Sequence, residues 1–211
     1  MSKSASLLGG ALLETSPSPA PALALDPSVP SPPAMDLRPY CSPIENQLDV
    51  GSCVAQAVVS AIEYLRNRKG LPSVELSRLF VYYNARKLAD RVGEEGTQIH
   101  HALAAVMAYG VCEEAMWPYH SSMRHERPTE ACFSNATRYQ VVEYARASTP
   151  ELLLGALGSG FPVIFALAFP DAFYDQAWVE GTFPRTTKVE QPDTGHAMLL
   201  VGYDKQAQSF I

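Results

Sequence analysis

A thiol at the start of a helix is the first candidate for chemistry in this chain. Cys53 lies in Gln47-Leu48-Asp49-Val50-Gly51-Ser52-Cys53-Val54. Behind it, Val54, Ala57, Val58, Ala61, Ile62 and Leu65 fall at helical spacing. Ser52 is placed to cap this helix, and Arg66 to Gly70 supply basic last-turn residues and a terminating glycine. A first-turn thiol feels the positive end of the helix dipole and unpaired backbone N–H groups, and both favour the nucleophilic thiolate. The competing reading is a small buried core residue, since Cys is among the most buried types. Two further residues decide for chemistry. Gln47, upstream on the same loop, carries an amide that can hold a developing oxyanion beside the Cys53 backbone N–H. His196 opens the apolar run Ala197 to Val201, which reads as a buried strand. A cysteine nucleophile needs a base within hydrogen-bond reach, whatever the separation in sequence. The interval from Cys53 to His196 falls inside the roughly 130–150 residues seen in one known Cys/His arrangement.

The elements that must position these groups follow from periodicity. Leu76, Leu79, Phe80 and Tyr83 mark a second helix through about Lys87, and Ile99, Leu103, Val106 and Met107 a third ending at Gly110. Tyr139 to Tyr144 alternates like a strand. Thr149-Pro150-Glu151 to Leu157 reads as a short helix with a Thr cap and Pro in its first turn. Pro162 to Phe169 and Ala197 to Tyr203 read as buried strands. A helical half followed by a sheet half gives an α+β fold. The helical lobe is expected over about 36–130 and the β-rich lobe over about 131–211. Cys53 then stands on one lobe and His196 on the other, with the site in the cleft between.

Residues 1–35 differ in kind. They hold seven of the seventeen prolines with Ala and Ser and almost no charge, a composition that favours extended backbone and forms no core alone. Three readings stand: a tail, an extended segment lying in the cleft and blocking it, or a proline motif for a partner. An extended peptide is what such a cleft binds, and a tethered one has a high effective concentration.

From Asp36 onward the chain resembles the papain-like (C1-type) cysteine peptidases, as a divergent, bacterial-style member. Asp36-Leu37-Arg38 is similar to the family's mature start, and Asn46-Gln47 through Cys53-Val54-Ala55 to its nucleophile block. Gly96-Thr97 with Ala102-Leu103 resembles its Gly-Gly segment. Tyr109-Gly110-Val111, Trp117-Pro118-Tyr119, Gly181-Thr182-Phe183 and Gly195-His196-Ala197 to Gly202-Tyr203 resemble further blocks in order. The resemblance implies a two-lobe fold and an endopeptidase acting through a Cys53 thioester. His196 would be the general base and Gln47 an oxyanion donor. Gly96, Thr97, Gly51, Ser52 and Gly195 would line the peptide site. It implies a peptide or protein substrate, no metal or cofactor, and a zymogen whose preceding segment blocks the cleft, occupied here by a proline-rich stretch. Val54 replaces the family's aromatic, Val50 a disulfide cysteine, and Gly195 the Asp or Asn before the His. The family's orienting Asn falls beyond Ile211, so the expectation is a piece or processed form of a longer chain.

The remaining composition narrows the alternatives. A net charge of −6 argues against nucleic acid, and 47% hydrophobic residues suffice for a sizeable core. No stretch approaches the roughly 20 apolar residues of a membrane span, and Leu7 to Leu13 is too short and broken for a signal-peptide core. No compartment follows: cytoplasmic residence and signal-independent export both remain open, and a monomer is expected. Of the four cysteines, Cys41, Cys112 and Cys132 permit one disulfide at most beside a catalytic Cys53. Cys112, His120, His125 and Cys132 match no common zinc spacing. Cys41 reads as structural. Glu94-Glu95 reads as an exposed, solvated pair, and His100-His101 as lobe-edge residues or substrate contacts. Two other functions stay open: a catalytically impaired papain-like binding protein, and an amide or acyl transferase using the same Cys–His pair.

Overall fold

A computed structural model describes residues 10–14, 20–24, 31–168 and 195–211. Helix α1 (Cys53–Arg68) forms where the apolar spacing places it, with Val54, Val58 and Ile62 turned inward, and it ends at Gly70 with φ of 66°. Ser52 occupies the N-cap position, but its side chain makes no capping bond. Its hydroxyl is bonded instead to Tyr119 Oη at 2.6 Å. Helix α2 (Arg78–Leu88) does have a capped start, Ser77 Oγ accepting from the Phe80 amide at 3.2 Å. Helix α3 (Ile99–Tyr109) stops at Gly110, whose φ is 75°. A side chain there would also strike the Ala136 carbonyl, 2.0 Å from the position of a Cβ. Only glycine satisfies both conditions.

These three helices share one core of Val54, Val58, Leu76, Leu79, Phe80, Val81, Tyr82, Ala102, Val106 and their neighbours. The far end of α1 enters a second, smaller core, where Tyr64 packs with Leu37, Leu157 and Tyr203. Helix α1 therefore threads both halves of the molecule.

Helix α4 (Glu130–Ala136) packs into the first core through Cys132 and Ala136, and α5 (Pro150–Gly158) into the second through Leu157. As the sequence predicts, Thr149 caps α5, its Oγ1 accepting from the Leu152 amide at 3.3 Å, with Pro150 in the first turn. Strand β1 (Ala34–Asp36) pairs antiparallel with β4 (Gly202–Asp204), which pairs with the short β5 (Ser209–Phe210). Strand β2 (Val163–Leu167) pairs antiparallel with β3 (His196–Leu200), Leu167 opposite His196 and Ala166 opposite Ala197. The expected strand at Ala197 to Tyr203 is thus two strands. At Val201 the chain leaves β2: its amide donates to the Ile211 carbonyl and its own carbonyl accepts from Leu37.

Tyr139 to Tyr144 is not a strand. Thr137–Tyr139 is a turn of 3₁₀ helix, Tyr139 Oη donates to Glu113 at 2.8 Å, and Val142 lies exposed. Alternation without a partner strand leaves the ladder unfilled, so the segment stays irregular. The boundary at 35/36 falls inside β1, and the Pro32 and Pro33 carbonyls also accept bonds from Tyr203 Oη and the Lys205 amide. Phe169, at the end of the expected strand at Pro162 to Phe169, and Gly181-Thr182-Phe183 lie outside the described residues. The architecture mixes helices and strands in an α+β fold.

Candidate active site

Helix α1 presents Cys53 as its first residue, so the sulfur stands where the helix amides are unpaired. Two backbone N–H groups donate to it. Ala197, the residue after His196, approaches at 3.4 Å, and Gly10 from the N-terminal segment at 3.3 Å. Strand β3 therefore runs directly against the start of α1, and its first residue is His196. The fold brings nucleophile and base candidates together across most of the sequence.

Gln47 shares the loop before Cys53. Its Nε2 donates to the Val50 carbonyl at 3.2 Å, and its own carbonyl accepts from Tyr119 Oη at 2.9 Å. Gly51 is also fixed, its amide donating to Glu95 Oε2 at 3.0 Å. Ser52 is fully buried beside Tyr119. Glu95 is exposed, as the sequence suggests, but its Oε2 also accepts from Tyr82 Oη at 2.8 Å. It sits next to Gly96, whose amide donates to Tyr82 Oη at 2.9 Å.

Residues Gly10 to Leu12 lie as a strand between the two walls of this cleft. On the helical side they run parallel to Thr97: the Thr97 amide donates to the Gly10 carbonyl at 2.9 Å and the Leu12 amide to the Thr97 carbonyl at 3.0 Å. On the sheet side Ala11 and Gly195 exchange both bonds antiparallel, at 3.0 and 2.9 Å. Glu14 then accepts from the His100 amide at 3.3 Å and faces its Nδ1 at 3.0 Å. His100 accordingly contacts the chain's own extension. A little further on, Ala22 pairs with Arg146.

Burial sets the electrostatics. It pushes the Cys53 thiol above its ordinary value, and the N–H donors of Ala197 and Gly10 oppose this without overcoming it. Burial likewise holds the His196 imidazole below its ordinary value. With the cleft filled, both groups are favoured in their neutral forms, and a neutral imidazole can accept a proton.

All four cysteines are free. Cys41 donates to the Leu37 carbonyl at 3.7 Å, consistent with a structural place. Cys112 and Cys132 are core residues, whereas His120 and His125 are exposed. Among the described residues no group of three or more His, Cys, Asp or Glu converges to hold a metal, and no helix is long and apolar enough to cross a membrane. Sequence reasoning missed Tyr82, Glu95 and Tyr119 as site neighbours. Tyr119 had a signal in its Trp117-Pro118-Tyr119 block; the other two had none that was local.

Comparison with known proteins agrees with this arrangement. An uncharacterized peptidase C1-like protein of Acanthamoeba polyphaga mimivirus is 30% identical over 178 residues, 79% of this chain. The chain spans 57% of that relative's length. Xylellain, a cysteine protease from Xylella fastidiosa, superposes with a TM-score of 0.83 at 27% identity, covering 100% of this chain and 85% of its own. Digestive procathepsin L2 from the larval midgut of Tenebrio molitor shares the fold at 20% identity, with a TM-score of 0.72 over 96% of this chain and 66% of its own. The family model for papain family cysteine protease matches residues 31–210, and the chain belongs to that family.

Proposed function

We propose that the chain hydrolyses peptide bonds by acyl transfer through Cys53, and that its own residues 10–14 hold the site shut. The Cys53 sulfur attacks the substrate carbonyl carbon while His196 takes the thiol proton. The tetrahedral oxyanion is held by Gln47 and the Cys53 backbone N–H, each such donor contributing on the order of 3 kcal/mol. His196 returns the proton to the leaving amine, which departs and leaves a thioester. Water, losing a proton to His196, then cleaves the thioester and restores the thiol. Gly96 and Thr97 on one wall and Gly195 on the other pair with substrate backbone; Gly51 and Ser52 shape the floor.

One observation carries this reading: the sulfur lies between Ala197, next to His196, and a peptide backbone already seated in the cleft. That backbone supports the inhibitory role of the extension. It offers the sulfur the Gly10 N–H and takes up the backbone groups of Thr97 and Gly195 that a substrate would pair with. Residues 1–35 act as the extension and 36–211 as the peptidase unit, with Ala34 and Met35 kept by the unit for its sheet.

The test is labelling with a peptidyl fluoromethyl ketone followed by peptide mapping, alongside hydrolysis of a fluorogenic peptide. The expected result is label on Cys53 alone, with label and turnover both rising when residues 1–30 are removed. Turnover without Cys53 labelling would overturn the mechanism. Labelling without turnover would point to the impaired binding protein, and product formed only with an added amine to a transferase.

A further inference from the structure

We propose that Glu95 and Tyr82 act together as positioning residues, clamping the nucleophile loop to the strand that pairs with substrate. The inference rests on the peptidase reading above and concerns side chains that the proposed chemistry does not use.

The two segments that must stay in register are Gln47 to Ser52, which carries the oxyanion side of the site, and Gly96-Thr97, which carries peptide pairing. They are distant in sequence and joined by no backbone hydrogen bond among the described residues. All four cysteines are free, so no disulfide joins them either. A side-chain chain of bonds spans the gap. The Gly51 amide donates to Glu95 Oε2 at 3.0 Å. The Tyr82 hydroxyl donates to the same oxygen at 2.8 Å. The Gly96 amide donates to the Tyr82 hydroxyl oxygen at 2.9 Å. One carboxylate oxygen and one hydroxyl thus join the two loops of the helical wall.

The surroundings are built for this. Tyr82 is wholly buried in α2, and burial keeps its hydroxyl protonated, able to donate and accept at once. Arg86, one turn on, stacks over the Tyr82 ring at 3.7 Å. Its guanidinium donates to the Val92 and Glu94 carbonyls at 2.8 Å and to the Arg124 carbonyl. That fixes the loop which delivers Glu95. The other Glu95 oxygen faces Arg124 Nε at 3.5 Å and His125 Nε2 at 3.9 Å, and Arg124 reaches Asp49 in the nucleophile loop at 3.1 Å. Close approach is required as well: a Cβ on Gly51 would lie 3.1 Å from Glu95 Oε2 and 3.2 Å from the Gly96 nitrogen. The glycine lets the loops come near enough for one carboxylate to bridge them.

The clamp makes a claim that independent bonds would not: loss of either side chain loosens both glycines. The experiment is amide hydrogen exchange on the full chain, with Glu95→Ala, Glu95→Gln and Tyr82→Phe beside the wild type. Glu95→Ala should speed exchange at Gly51 by about tenfold. It should also speed Gly96, relative to its intrinsic rate after each residue 95, although the Gly96 amide donates to Tyr82 and not to the Glu95 side chain. Tyr82→Phe should do the converse. Glu95→Gln keeps an acceptor oxygen and should restore both to near wild-type rates. Exchange at Val106 in α3 should stay unchanged in all variants, reporting an intact fold. The kinetic arm measures kcat per titratable Cys53, expected to fall about tenfold in Glu95→Ala and to recover in Glu95→Gln. Faster exchange confined to the glycine that lost its own partner would overturn the clamp, as would unchanged kcat per titratable thiol. If the wild type cleaves no peptide at all, the peptidase reading fails by itself, and the exchange pattern still decides the clamp.

Discussion

The two walls of the cleft are held by different kinds of bond. The helical wall, Gln47 to Ser52 with Gly96-Thr97, is organised by side chains: Tyr119 to Gln47 and Ser52, Glu95 to Gly51, Tyr82 to Gly96. On the sheet wall, Gly195 to Ala197, His196 and Ala197 are organised by backbone pairing of β3 with β2. A ladder bond survives most changes of side chain, whereas a hydroxyl or carboxylate bridge is lost with one substitution. Catalytic geometry should therefore be fragile to point changes on the helical wall and tolerant on the sheet wall, outside the reacting residues themselves.

The residues proposed to react, Cys53 and His196, set the upper limit of effect. Cys53→Ala should remove hydrolysis, and His196→Ala nearly so, with losses on the order of 10⁶-fold where residues act as a unit. Cys53→Ala exchanges a buried thiol for a methyl and should leave the thermal transition within a few degrees of wild type. Retained turnover in purified Cys53→Ala, measured with a fluorogenic peptide, would remove the central asymmetry between the walls.

The next largest effect comes from the segment lying between them. A Cβ on Gly10 would sit 1.9 Å from the Gly51 carbonyl oxygen, and backbone cannot yield that far. Gly10→Val should lift the segment and speed alkylation of Cys53 by iodoacetamide by about 10²-fold, a shift of a few kcal/mol in favour of the open form. The pH profile should move too. In the filled cleft burial holds the thiol above its usual range, and the Gly10 N–H opposes this only in part. Lifting the segment removes the larger influence, so alkylation of Gly10→Val should rise at lower pH than in the wild type. His196 gives acid the same sense. Its closed-state pKa lies below the ordinary value, so as pH falls below about 6.5 an open form takes up the proton first and closure weakens. Coincident pH profiles in the two proteins would show that residues 10–14 do not govern the thiol.

Much of this was legible in the sequence, unevenly. Helices α1, α2 and α3 could be read because each buries a stripe at helical spacing, and α5 because Thr149-Pro150 announces its start. The juxtaposition of Cys53 and His196 was legible only through chemistry and family likeness, since nothing local in either segment refers to the other. The break at Val201 was not legible, because it reflects a change of partner from β2 to β1 and β5. Nor was the use of Ser52: a serine before a helix reads as a cap, but the buried Tyr119 hydroxyl competes for it. Glu95 shows the same limit from the other side. Its two acceptors' worth of bonds come from residues in α2 and the nucleophile loop, and an acidic pair between glycines carries no mark of them.

Tyr119→Phe sharpens the comparison on the helical wall. It deletes the hydroxyl shared by the Gln47 carbonyl and Ser52 while keeping the ring. The Gln47 backbone carbonyl loses its donor and the Ser52 hydroxyl its acceptor, so the Gln47 loop loses support. The expected result is kcat lowered about tenfold, consistent with partial loss of one oxyanion donor, while KM changes little. A rise in KM alone would mean that the bridge shapes the peptide site instead.

The smallest effect should come from the sheet half, away from the cleft. Thr149→Ala removes the cap of α5 and its bond to the Leu152 amide. Helix α5 supports the second core through Leu157, which packs with Tyr64, Leu37 and Tyr203. Losing a cap of this kind costs about 1 kcal/mol of stability. The cleft should not register it, because the sheet wall reaches His196 through the β2–β3 ladder, and that ladder does not depend on the first turn of α5. Denaturant unfolding should show the lower midpoint, with kcat and KM unchanged at temperatures well below the transition. If Thr149→Ala instead lowers kcat as much as Tyr119→Phe does, backbone pairing does not insulate the sheet wall, and the contrast between the two walls is wrong.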